Sequence, residues 1–157
     1  MSQFLMQNSE IISRLVLAVL LGAVIGAERV IVHKEAGMKT HALVALGAAV
    51  FVLISEEMGK KYLGFPGFNP TMIASQIIVG IGFIGAGVII FREKESRLVG
   101  LTTASGLWVA AGIGMASGSG FFNIAIITTV LVLLIFIGMN VFEKPIKRIT
   151  HIDSDQI

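Results

Sequence analysis

The chain has 157 residues, 55% of them hydrophobic and only 14% charged, with a mean hydropathy of +0.88. That balance excludes an ordinary soluble domain and predicts an integral membrane protein, while a net charge of +2 is too small for a nucleic-acid-binding surface. Cysteine is absent, which excludes disulfides, thiolate metal sites and cysteine catalysis together.

Residues 1–10 form a short polar tail, and 11–27 read as a first spanning helix with Arg14 close enough to its end to snorkel. Glu10 ahead of Arg14 argues for a retained helix rather than a cleaved signal peptide. Gly22 and Gly26 make a G-x-x-x-G pair suited to close helix contact. A polar segment, ERVIVHKEAGMK, follows at 28–39, with His33 read as a solvated loop residue. The next apolar run, 40–55, is short for a span, and a re-entrant course there would move everything after it to the other side. Residues 56–70 read as a loop closed by the turn pair Asn69-Pro70.

Residues 71–91, TMIASQIIVGIGFIGAGVIIF, carry no charge over about twenty positions. A helix of that length rises roughly 30 Å, the thickness of the hydrocarbon layer. Gly80, Gly82, Gly85 and Gly87 would let neighbouring backbones approach, so this third helix is expected at the centre of the bundle. The same glycines satisfy G-x-G-x-x-G, but no turn separates the apolar runs around them, and helix packing is the better reading. Residues 92–99, REKESRLV, read as a charged loop. In the fourth helix, 100–117, Gly106, Ala110, Gly114 and Gly118 recur every four residues and draw a small-residue stripe along one face. The fifth, 121–142, is rich in Ile, Leu, Val and Phe, as a lipid-facing helix should be, and 143–157 form a tail.

The expected fold is therefore all-α: five transmembrane helices in a glycine-rich bundle. With five spans, nine basic residues (Arg29, Lys34, Lys39, Arg92, Lys94, Arg97, Lys144, Lys147, Arg148) share one side, against three (Arg14, Lys60, Lys61) on the other. The positive-inside rule then puts the amino terminus outside and the carboxyl terminus in the cytoplasm.

That topology gathers Glu28, Arg29, Lys39, Thr40, His41, Thr102 and Thr103 at the cytoplasmic ends of three helices. They are either a functional site or interface anchors and helix caps. Glu28 and Arg29 are adjacent, so each is expected to find a partner elsewhere, Lys39 being the candidate for Glu28. Within the bundle Gln76 needs protein or water around its amide, and Trp108, in mid-helix, needs an internal acceptor for its indole N–H, Gln76 being one candidate. No Asp or Glu falls inside a predicted span and no Ser-His-Asp set converges, so neither a fixed metal site, nor a cofactor, nor enzymatic catalysis is expected.

Four blocks, in order, resemble the MgtC/SapB family of bacterial inner-membrane proteins: GAVIGAER at 22–29, AGMKTHALVALGA at 36–48, NPTMIASQIIVGIGFIGAGVI at 69–89 and GLTTASGLWVAAGIG at 100–114. The resemblance implies a five-helix membrane domain at 11–142 in the orientation reached from charge. Lys39 stands where many members have Arg, and Met72 where Arg is expected. Larger members carry a cytoplasmic carboxyl-terminal domain; a sequence ending at Ile157 is expected to be a short form without it. For function the resemblance implies a role in magnesium homeostasis and stress response. The leading expectation is regulation of another membrane protein, such as the ATP synthase, or of ion balance. The alternative is a transporter or channel for Mg²⁺ or another cation. The left-over small-residue faces also suit a homodimer.

Overall fold

The computed structural model describes residues 6, 8–62, 69, 71–92 and 97–149. Five helices follow one another: α1 (Ser9–Ile31), α2 (Met38–Lys61), α3 (Thr71–Val88), α4 (Leu101–Gly118) and α5 (Phe122–Ile149). An antiparallel hairpin, β1 (Ile90–Arg92) and β2 (Arg97–Val99), joins α3 to α4, pairing Ile90 with Val99 and Phe91 with Leu98.

The boundaries differ from the expected ones for local reasons. Where the sequence suggested helix to residue 91 and then a loop, α3 stops at Val88 and the β-branched and aromatic residues on either side of 93–96 pair as strands. Residues 93–96 lie outside the described part, as do 63–68 and Pro70 of the expected loop and 150–157 of the tail. The short run at 40–55 belongs to a 24-residue helix that continues through Glu56 and Glu57 to Lys61, residues the sequence assigned to a loop. Lys60 pairs with both Glu56 and Glu57 at 2.9 Å, the i,i+4 and i,i+3 spacings that support a helix. Likewise α1 runs on to Ile31, past the expected end at Ala27, because Glu28 and Arg29 are enclosed rather than solvated. A tight connection then turns the chain at His33, whose φ of 56° is unusual for a residue with a Cβ.

Helices α1 and α2 form a hairpin in backbone contact. A Cβ on Gly22 would lie 2.7 Å from the His41 carbonyl oxygen, and one on Gly26 2.5 Å from Met38 Cα, so the G-x-x-x-G pair receives the first turn of α2. On its other side α2 meets α4, where a Cβ on Gly114 would fall 2.7 Å from Ala45 Cα and one on Gly118 2.7 Å from the Ala49 carbonyl oxygen. The core is accordingly built of small residues: Ala18, Ala45, Ala49 and Ala110 are fully buried beside Ile25, Leu107 and Ile113.

The centre of the bundle is α4, which packs against all four other helices, and not α3 as the glycine content had suggested. Spacing explains the reversal. Glycine or alanine at every fourth residue keeps the small side of α4 on one face, whereas Gly80, Gly82, Gly85 and Gly87 wind around α3. Of these only Gly85 is buried, with Ala104 3.6 Å from where its Cβ would be; Gly80, Gly82 and Gly87 meet nothing within 4 Å in the single chain. Helices α1, α2, α3 and the Phe122–Met139 part of α5 are long and apolar enough to cross a membrane. Gly, Ala, Ser and Thr make up most of α4, which suits a helix enclosed by helices. Along α5 the side chains of Ile124, Ile127, Leu131, Leu134 and Ile135 are exposed, a surface that suits lipid.

Candidate functional site

At the end of the bundle where α1 stops and α2 and α4 begin, four polar side chains are buried: Glu28, Arg29, His41 and Thr103. Arg29 Nε donates to the Glu28 carboxylate, so these sequence neighbours pair with each other. This corrects the expected Glu28–Lys39 pair. Near the end of a helix the long Arg29 side chain bends back over its neighbour, while Lys39 points outward and is exposed. On its other side the Arg29 guanidinium lies 3.6 Å from the centre of the Phe136 ring on α5, a cation–π contact that fastens α5 to α1.

His41 completes this end. Its Nδ1 donates to the Gly37 carbonyl at 3.0 Å, since a carbonyl can only accept. Nε2 is buried without a hydrogen-bond partner among the described residues, and it faces the backbone of α4: a Cβ on Gly106 would sit 3.3 Å from it and 3.1 Å from Phe136 Cζ. Gly106 thus leaves room for both rings. Thr103 lies one turn earlier on that face of α4, whereas Thr102 is exposed and Thr40 half-buried. Of the seven polar residues grouped by sequence, four are enclosed here and Lys39, Thr40 and Thr102 are not.

The intramembrane pair proposed from sequence does not form. Trp108 is 53% exposed, because two residues on from Gly106 it stands on the side of α4 opposite the packed stripe. Gln76 lies on α3 and lines a groove of about 710 Å³ between α2 and α3, with Lys39 and Thr40 at one mouth.

A second polar cluster, at the opposite end, was not read as a site from sequence. Arg14 is only 13% exposed; it donates to Glu56 on α2 at 2.6 Å, to the carbonyl of Gly118 at the end of α4 at 3.0 Å, and to Glu10. A basic residue and an acidic residue at the same end of two antiparallel helices was the available signal, obscured by placing Glu56 in a loop. No group of three or more His, Asp or Glu residues arranged to hold a metal occurs among the described residues.

A helical bundle with long apolar faces, glycine-mediated contacts and enclosed ion pairs defines a polytopic membrane protein. Residues 15–145 match the MgtC family, and the chain belongs to it. It is 42% identical over 146 residues to the putative magnesium transporter YhiD of Escherichia coli K12, covering 92% of this chain and 66% of that protein. It is 47% identical over 122 residues to protein MgtC of Salmonella typhimurium LT2, covering 78% of this chain and 49% of that one. An uncharacterized protein of Haemophilus influenzae is 41% identical over 127 residues, 79% of this chain and 53% of its own length. The chain therefore spans between half and two thirds of these curated relatives. No solved structure matches it.

Proposed function

We propose that the protein is a bacterial inner-membrane regulator in magnesium homeostasis and stress response, acting on another membrane protein or on ion balance and without an enzyme activity of its own. The observation that carries this reading is the buried Glu28, whose charge is taken up by Arg29. An Mg²⁺ ion needs oxygen ligands and usually at least one carboxylate. The enclosed carboxylate is committed to a guanidinium, Arg14 is likewise held by Glu10 and Glu56, and the groove beside Gln76 is lined chiefly by apolar residues. Polar groups neutralised within the bundle suit a body that docks through its outer surface. On this reading the amino terminus is outside and the carboxyl terminus cytoplasmic, which puts the Glu28–Arg29 end at the cytoplasmic face. Partners are the lipid bilayer, a membrane protein such as the ATP synthase, and a second copy of the chain. The exposed apolar surface of α5 is the natural contact.

Transport of Mg²⁺ is the second reading, favoured by the name of the YhiD relative, a putative magnesium transporter. Flux of Mg²⁺ and H⁺ into sealed liposomes holding only the purified protein separates the two. Regulation predicts no flux above protein-free vesicles and a crosslink to a membrane partner in cells. Flux that disappears in Gln76→Ala would establish transport instead.

A further inference from the structure

The groove between α2 and α3 exists because two glycines line it. Gly47 and Gly80 leave it unfilled, and a Cβ at either would meet nothing within 4 Å. Leu43, Val44, Phe51 and Ile77 make it apolar along its length, and at one mouth stands Lys39. Lys39 is exposed, has no ion-pair partner among the described residues, and belongs to the first turn of α2, where Gly37 provides no side-chain cap for the helix N–H groups. From Lys39 to Phe51 the helix rises roughly 18 Å. With C–C bonds of about 1.5 Å, an extended hydrocarbon of about 14 carbons has that length.

We propose that this groove binds one acyl chain of an anionic phospholipid, with the headgroup phosphate on the Lys39 ammonium. The lining matches such a lipid: it is apolar along its length and carries its one charged side chain, Lys39, at one mouth, the order of tail and headgroup. Charge separates it from bulk lipid. One lysine near the headgroup plane favours an anionic over a zwitterionic lipid about fivefold. Lys39 at the mouth thus makes the groove selective, where an apolar groove alone would take any chain.

The test uses the full chain in nanodiscs with phosphatidylglycerol or phosphatidylcholine carrying a photoreactive diazirine on the same acyl chain, with crosslinked peptides mapped by mass spectrometry. Labelling is expected on the α2 and α3 segments around Phe51 and Ile77, about fivefold greater with phosphatidylglycerol. Lys39→Gln should equalise the two lipids, and Lys39→Arg should keep the preference. Gly47→Phe and, independently, Gly80→Leu each start from a Cβ that meets nothing within 4 Å and project into the groove, so each should abolish labelling there with unchanged circular dichroism and elution volume. Equal labelling by both lipids in the unaltered protein, a preference that survives Lys39→Gln, or labelling that persists in both filled variants would overturn the proposal.

Discussion

Replacing Glu28 with methionine strands the Arg29 guanidinium inside the bundle. Its side chain is 3% exposed and that of Glu28 9%, so water neither screens the pair nor rescues the partner left behind. The face of Phe136 is already in contact with Arg29 and cannot stand in for a full negative charge. Breaking a buried pair from one side costs about 3–5 kcal/mol, whereas replacing both members with apolar groups of similar volume is often close to neutral. Glu28→Met and Arg29→Met should therefore each lose about 3–5 kcal/mol, and the double variant should lie nearer the unaltered protein than either. Reversible unfolding in mixed detergent micelles, followed by circular dichroism, supplies the four stabilities of the cycle. Lys39→Ala is the comparator: it points away from the pair, so its effect should add to that of Glu28→Met within about 0.5 kcal/mol. Single losses under about 1 kcal/mol, or strong coupling of Glu28 to Lys39 instead of Arg29, would refute the assignment.

Two further outcomes test the packing. Gly114→Val drives a side chain into the Ala45 backbone and should destabilise by about 3 kcal/mol or fail to fold, while Gly112→Val, on an open face of the same helix, should cost about 1 kcal/mol or less in the same unfolding assay. Trp108 is the sole tryptophan and is exposed on α4, so its fluorescence should be strongly quenched by lipids brominated on their acyl chains; emission insensitive to them would mean that the indole is covered.

Helix existence was legible because charge-free apolar runs in lipid leave the backbone no alternative to helix. The stripe at Gly106, Ala110, Gly114 and Gly118 was legible too, since four-residue spacing is itself a statement about direction. The centre of the bundle was not, because glycine number in α3 says nothing of which faces the glycines occupy. Charge was misread where it lay at helix ends. Adjacent residues such as Glu28 and Arg29 leave a helix in different directions, yet a long side chain can fold back, and Cα direction does not reveal that. Similarly Glu56 and Glu57 looked like the start of a loop because the support for helix there comes partly from Arg14, 42 positions before Glu56.

That the most enclosed helix is the one richest in small residues bears on how the bundle is assembled. Helix α4 spends its small-residue face on Ala45 and Ala49 of α2, whereas α1 and α2 are each long and apolar enough to cross a membrane and fit one another through Gly22 and Gly26. The α1–α2 hairpin thus presents the surface that α4 fits, because Gly114 and Gly118 bring its backbone against Ala45 and Ala49 more closely than a lipid tail could follow. A lesion in that alanine face is then expected to loosen α4, and with it the contacts that α4 makes to the other four helices, before any question of activity arises.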